Sequence, residues 1–193
     1  MSRVTCDGCG RPQRVCLCSH LVTQALPFEL VIWQDPDESR HPLSTAPLLE
    51  RSTPGSRLLV GDTLSAEEVF PAEALAAGQC ALLYPADGQP CLSADQARDS
   101  ITHVLVLDGT WRKVRRLLHL NPWLTTLMRV SLPTTIPNSV YHRKSQREDG
   151  VSTLEAVLYL ADAWAPGENL TAGIGVLERL QALQEAQRQA ARS

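Results

Sequence analysis

The sequence predicts an α/β fold, a mainly parallel sheet flanked by helices, with a small four-cysteine module at its N-terminal end. Three observations carry this. Short, continuous apolar runs recur along the chain, as expected of strands covered on both faces. They alternate with segments of helical periodicity, the pattern of helices packed on a parallel sheet. Four of the six cysteines also crowd into residues 6–18.

That module comes first in the chain, as Cys6-x2-Cys9-x6-Cys16-x-Cys18. No apolar segment follows the early basic residues, so a secretory signal is absent and a reducing cytoplasm is the expected compartment. Close thiols there read as metal ligands rather than disulfides. Four thiolates complete a tetrahedral zinc site, which folds a segment too short for its own core. Iron in the same site, or a thiol redox centre, are the alternatives. Gly8 and Gly10 flank Cys9 and let a tight chain present its sulfurs to one ion. His20 is a spare ligand. Cys80, in the apolar run QCALLY, reads as a core thiol, and Cys91 lies in a loop-like stretch. Residues 1–24 are taken as the zinc-binding module and 25–193 as one catalytic-sized domain.

Strands are predicted over Phe28–Trp33, Arg57–Val60, Cys80–Tyr84, Ile101–Leu107 and Met128–Leu132. The fourth is rich in β-branched residues and ends sharply at Asp108-Gly109; Pro133 stops the fifth. Helices are predicted over His41–Arg51, Ser65–Ala77 and Thr110–His119. Ser65 with Glu68 makes a capping box in the second of these. In Ser152–Trp164, residues Leu154, Val157, Leu158, Ala161 and Trp164 form one apolar face, and Ser152 with Glu155 is another capping box. Pro166-Gly167 breaks that helix. Leu170–Arg192 follows, with Ile174, Leu177, Leu180 and Leu183 as its buried stripe. Pro133–Gly150 is irregular and of a length that is usually functional or disordered in a compact domain.

Composition bounds the rest. With 193 residues, 44% of them hydrophobic, the chain has enough apolar surface for a core and is not disordered. No apolar run approaches the ~20 residues of a membrane span. The net charge of −3 argues against a protein that coats nucleic acid by bulk charge. The distribution of charge along the chain points the other way. Residues 21–100 hold four Arg against twelve acids, whereas residues 101–150 hold eight Lys and Arg against three. Two basic clusters lie there: Arg112, Lys113, Arg115 and Arg116, and then His142, Arg143, Lys144 and Arg147. A solvated helix face is the plain reading of such a run; phosphate binding is the functional one.

Ligands of open α/β sheets sit beyond the carboxyl ends of the strands. This draws attention to Asp108-Gly109-Thr110-Trp111. Gly109 permits close backbone approach, and Thr110 can cap the next helix so that its amides face a ligand. The alternative is that Asp108 or Thr110 merely caps, and Trp111 merely packs. The segments Asp35–Leu49 and Tyr141–Glu155 are also dense in functional residue types. Nothing matches a dinucleotide-binding glycine motif, a phosphate-binding loop, a zinc-protease motif or a nucleophile elbow.

Taken together, C-D-G-C-G-R-P…C-L-C, S-T-A-P-L-L at 44–49, L-D-G-T-W-R-K at 107–113, Y-H-R-K at 141–144 and G-V-S-T-L-E-A-V at 150–157 resemble the DTW-domain family. The blocks run from residue 6 to about 165 in the family's order. Gly109 fills the variable position of D-x-T-W. The resemblance implies a tRNA-uridine aminocarboxypropyltransferase related to the SPOUT methyltransferases, with a trefoil-knotted sheet. S-adenosylmethionine would donate its 3-amino-3-carboxypropyl group to N3 of a tRNA uridine and release methylthioadenosine. The resemblance further implies a target in the tRNA variable loop, as in bacterial relatives, whereas relatives in other organisms use the D loop.

Uridine N3–H is a weak acid, so a carboxylate within reach is a sensible base, and Asp108 is assigned that role. The alternative has Asp108 hold the donor's ammonium or ribose. By the same resemblance the donor would rest on Thr45, Leu83, Tyr84, Pro85, Leu107, Asp108, Gly109, Thr110, Trp111, Leu132, Pro133, Ser152 and Thr153. Phosphates would be held by Arg112, Lys113, Arg115, Arg116, Arg143, Lys144 and Arg147. Of these, Arg143 and Lys144 match the family pattern and the others follow from charge. The metal ligands are Cys6, Cys9, Cys16 and Cys18, and Arg3, Arg11 and Arg14 of the module would extend the RNA surface. The rivals are a SPOUT-type RNA methyltransferase, an rRNA-directed aminocarboxypropyltransferase and a non-catalytic zinc-ribbon RNA binder. Monomer and homodimer both remain open.

Overall fold

The computed structural model describes residues 4–41, 44–85, 91–136 and 150–190. Among them, six strands form one sheet: β1 (Glu29–Gln34), β2 (Arg57–Val60), β3 (Cys80–Leu83), β4 (Cys91–Leu92), β5 (His103–Asp108) and β6 (Met128–Val130). Their order is β2-β1-β5-β3-β6-β4. Every pairing is parallel. The α-helices are α1 (Pro36–Ser39), α2 (Ala46–Ser52), α3 (Ala66–Val69), α4 (Ala72–Ala76), α5 (Ala94–Ala97), α6 (Trp111–Leu120), α7 (Thr153–Trp164) and α8 (Gly175–Ala190). The expected α/β class and parallel sheet are thus present.

Alternation along the central strands divides the core into two layers. Leu30, Ile32, Val104 and Val106 face one side, where α2, α5, α7 and α8 cover them. Val31, Trp33, Leu105 and Leu107 face the other, beneath α3, α4 and α6. Both faces are therefore apolar, as a parallel sheet requires. Trp33 is fully buried, and its indole N–H donates to the Gly61 carbonyl at 2.8 Å. Burial of such a side chain stabilises by roughly 1.5–3 kcal/mol, provided its polar atom keeps a partner. Phe28 and Trp164 meet edge to face at 4.9 Å, pinning the C-terminal end of α7 beside the start of β1.

The cysteine module joins the first layer. Leu17 is fully buried and Cys9 nearly so within that cluster. Gln24 is tied to the body through its amide N–H to the Ser52 carbonyl and its side chain to the Leu170 carbonyl, both at 2.9 Å.

Several elements differ from expectation. The segment 65–77 is two short helices, because Pro71 offers no N–H and keeps Phe70 extended (φ −128°, ψ 151°). The Ser65–Glu68 capping box is formed all the same. The stretch after β1 begins with α1, capped by Asp35, and the predicted helix starts at Ala46 rather than His41. The two-residue β4 and the four-residue α5 are too short for periodicity to register. The C-terminal helix opens with a 3-10 turn at Leu170–Ile174 before α8.

Candidate functional site at the ends of β1 and β5

From β1 the chain moves outward to β2 on one side of the sheet, and from β5 it moves to β6 on the other. The two strands are neighbours, so their carboxyl ends form a topological switch point, where ligands of open α/β sheets bind. Gln34 and Asp108 are register partners there. The Asp35 amide donates to the Asp108 carbonyl at 3.0 Å and holds the strand ends together. Alternation turns the side chains of Gln34 and Asp108 to the layer of α2 and α7.

Asp108 is 5% exposed. One carboxylate oxygen accepts the Thr153 hydroxyl at 2.6 Å, and the other accepts the Gln34 amide at 2.7 Å. The same Gln34 nitrogen donates to Ser44 Oγ at 2.7 Å. Thr153 reaches Asp108 because α7 is capped one residue earlier: Ser152 and Glu155 form the expected capping box, with bonds of 3.2 and 2.7 Å. Thr45 is buried beside Ser44 at the start of α2. Sequence reasoning did not single out Gln34. Its signal is a polar residue closing the apolar run of β1, and the partner across the ladder is what gives it a role.

On the other side of the sheet, Thr110 caps α6, accepting the Lys113 amide at 3.4 Å. A β-carbon on Gly109 would lie 3.2 Å from Lys113 Cβ and 3.5 Å from Asp35 Cβ, so the turn is tight enough to favour glycine. Trp111 meets Tyr84 edge to face at 6.0 Å. The Arg129 guanidinium sits 5.1 Å from the Tyr84 ring centre and donates to the Pro85 carbonyl at 3.1 Å. Arg129, a buried arginine in β6, is a second residue that sequence reasoning missed. Leu83 and Leu107 are buried at the strand ends, Leu132 packs on the first layer, and Pro133 is half-buried.

The basic face of α6 is divided. Lys113 lies 3.2 Å from Glu38 and 3.7 Å from Asp35, while Arg116 lies 2.9 Å from Asp35 and 2.5 Å from Asp62. These two side chains are turned into local ion pairs. Arg112 and Arg115 are exposed. Burial works against the Asp35 carboxylate, but the Arg116 guanidinium, the amides of Asp37 and Glu38 and the Lys113 charge outweigh it and hold its pKa below the usual range. Tyr141, His142, Arg143, Lys144 and Arg147 lie outside the described residues, as does Arg3.

At the module, the sulfurs of Cys6, Cys9, Cys16 and Cys18 all lie within 4.8 Å of one another. Individual separations are 3.4 Å (Cys6–Cys16), 3.7 Å (Cys6–Cys18) and 3.8 Å (Cys9–Cys16). A tetrahedron of thiolates about 2.3 Å from zinc has edges of about 3.8 Å, so the set fits that ion. Burial opposes ionisation of Cys9, yet the amides of Leu17 and Arg11 bring its pKa down to about 6. Cys18 is pushed up to about 12, first by burial and then by the neighbouring sulfurs. Four such groups repel one another as thiolates, and a divalent cation removes that conflict. A β-carbon on Gly8 would come within 2.7 Å of Cys18 Sγ, so glycine is required for this closure. Arg14 is exposed, but Arg11 is not on the RNA-facing surface assigned to it: it is 8% exposed and points inward.

Residues 3–187 match the DTW domain family. The chain is 30% identical over 162 residues to mouse tRNA-uridine aminocarboxypropyltransferase 2, covering 79% of this chain and 54% of that protein. It is 31% identical over 160 residues to the Drosophila melanogaster protein of the same name, covering 79% and 63%. Against Arabidopsis thaliana tRNA-uridine aminocarboxypropyltransferase A it is 28% identical over 158 residues, covering 72% and 60%. The matched regions thus span less than two thirds of these relatives. No solved structure matches the chain. Among the described residues, no helix is long and apolar enough to cross a membrane.

Proposed function

The chain belongs to the DTW-domain family, and on that premise we propose that it is a cytoplasmic tRNA-uridine aminocarboxypropyltransferase. In this reading it moves the 3-amino-3-carboxypropyl group of S-adenosylmethionine to N3 of a tRNA uridine. The new bond joins N3 to the γ-carbon of the donor's amino acid arm. The sulfur–γ-carbon bond breaks with its electron pair going to sulfur, which leaves as neutral methylthioadenosine, and the N3 proton passes to a base.

The observation that carries the reading is the Asp108 carboxylate, oriented at the switch point by Gln34 and Thr153. A sulfonium activates three carbons, so the outcome depends on which one is aimed at the nucleophile. Asp108 would either take the N3 proton or fix the donor's ammonium or ribose, and both tasks need a carboxylate held in one orientation. The donor would lie along the strand-end backbone at Leu83-Tyr84-Pro85, Leu107–Trp111 and Leu132-Pro133, with Thr45, Ser152 and Thr153 beside it. Arg112 and Arg115 would meet tRNA phosphates, together with the basic groups at 143, 144 and 147. We assign zinc to the four sulfurs, as the ion that holds residues 1–24 against the domain formed by 25–193. The reading includes a SPOUT-like trefoil arrangement, in keeping with a parallel sheet to whose β5 end the start of α7 returns.

The deciding experiment incubates unmodified tRNA with S-adenosylmethionine and analyses the nucleosides by mass spectrometry. Aminocarboxypropyl-uridine with methylthioadenosine is expected. A methylated base with S-adenosylhomocysteine would replace this reading with an RNA methyltransferase. Binding of tRNA without turnover of the donor would leave a non-catalytic RNA binder, and transfer confined to rRNA would move the substrate.

A further inference from the structure

We propose that Arg11 is a positioning residue that ties the cysteine module to the Asp108 carboxylate through Ser44 and Gln34. The backbone of Arg11 belongs to the turn between the first two and last two cysteines: its carbonyl accepts the Cys6 amide at 2.8 Å. Its side chain leaves that turn inward, and Nη2 donates to the Ser44 carbonyl at 2.8 Å. The Ser44 hydroxyl oxygen accepts the Gln34 amide, which also donates to Asp108. All four residues are buried. Arg11, the segment carrying Gln34 and Ser44, and Asp108 stand far apart in sequence, so only the folded arrangement makes this a chain of contacts.

Energetics single the chain out. Burying a guanidinium is costly unless it is well paired. Arg11 Nε has no hydrogen-bond partner among the described residues. A solvent-facing arginine would avoid that cost, so the inward orientation marks a site where stability yields to another demand. A carboxylate needs both oxygens fixed to aim within the ~10–20° that a preorganised site requires. Thr153 holds one oxygen directly, and Gln34 holds the other with the same nitrogen that Ser44 anchors. Arg11 makes the place of Ser44 depend on the module.

This inference rests on the aminocarboxypropyl reading. Its test compares Arg11→Met, Gln34→Leu, the double variant and Arg11→Lys for bound zinc, kcat, and KM for donor and tRNA. Zinc content is expected to stay at the wild-type value. Each single truncation lowers kcat about tenfold, with KM for tRNA within about twofold. The double variant is no slower than the worse single, because both break the same chain. Arg11→Lys, which still reaches a carbonyl, recovers part of the loss. A raised KM for tRNA with unchanged kcat would make Arg11 a phosphate contact and overturn the proposal. Multiplying losses in the double variant would reduce both residues to independent structural roles, with the same consequence. If wild-type protein makes no aminocarboxypropyl-uridine, the functional reading has failed separately, and hydrogen exchange decides the coupling. Arg11→Met must then speed exchange of the Asp35 amide, which bonds the Asp108 carbonyl, while β2 stays protected; unchanged exchange at Asp35 overturns the proposal.

Discussion

Asp35 and Asp108 are adjacent buried aspartates at the ends of neighbouring strands, and they are held in different ways. Asp35 caps α1 and accepts cations from two successive turns of α6. Its partners lie on the two helices that leave the switch point, and what they stabilise is the ionised form. Asp108 instead accepts donors from β1 and α7, with Gln34 passing on to the segment before α2. These two described partners are uncharged and fix an orientation. Burial and a carboxylate alone do not mark a reactive centre. Among the described residues, the side-chain partners of Asp35 include two cations, whereas those of Asp108 include an amide and a hydroxyl.

The largest effect should come from Asp108. Asp108→Ala is expected to lower transfer to tRNA by a factor of about 10²–10⁴, the usual range for a general acid–base group, with little change in the circular dichroism of the protein. Full activity in that variant would erase the distinction between the two aspartates.

Asp35→Asn should do the reverse. It keeps an acceptor for the α1 amides but leaves Lys113 and Arg116 without their central anion. Breaking a fully buried pair costs about 3–5 kcal/mol; because Arg116 also reaches solvent and Asp62, we expect about 2–3 kcal/mol in urea unfolding. Transfer per folded molecule should stay within about threefold of wild type. The pH dependence follows from the depressed pKa of Asp35. Such a group contributes stability that is fully present above its unfolded value of ~3.9 and is lost as pH falls through the folded value. The gap in urea midpoint between wild type and Asp35→Asn should therefore be wide at pH 6 and begin to close only as pH falls below about 4. A gap independent of pH would show that the ion pairs add nothing beyond the cap.

Thr153→Val tests the aiming partner at an intermediate size. It removes one donor to Asp108 while keeping the volume of the side chain. Loss of a hydrogen bond to a charged group is worth about 1.5–3 kcal/mol, so kcat should fall roughly tenfold or more. If unfolding stability drops by that amount and kcat does not move, the bond serves packing and not orientation.

The contrast also explains how much was legible in the sequence. The central strands and α7 were readable because their signals are local: β-branched runs, and a Ser–Glu capping box that recurs in the structure. Asp108, Thr110 and Thr153 were legible for the same reason, as residues at a strand end and at helix starts. Gln34 was not, since its role exists only through register with Asp108 across the sheet. Arg129 was not, because a single arginine in a short strand says nothing until Tyr84 lies beneath it. A segment count of charge assigns Lys113 and Arg116 to phosphates. That count could not include Asp35, Glu38 and Asp62, which the fold brings in from the acidic part of the chain.

The smallest effects separate the exposed half of α6 from its paired half. Arg112→Ala and Arg115→Ala remove charges that face solvent, so unfolding stability should change by less than about 0.5 kcal/mol. If these residues meet phosphates, KM for tRNA should rise a few-fold, and each substitution should reduce the slope of log affinity against log salt by about 1. Arg116→Ala removes a partner of Asp35 instead, so it should cost stability and leave the salt slope nearly unchanged. Equal salt slopes across all three variants would mean that ion pairing with Asp35 and Asp62 does not commit Arg116. The division of α6 into a solvent-facing pair and an acid-bound pair, read among the described residues, would then be wrong, even with the distances as they stand.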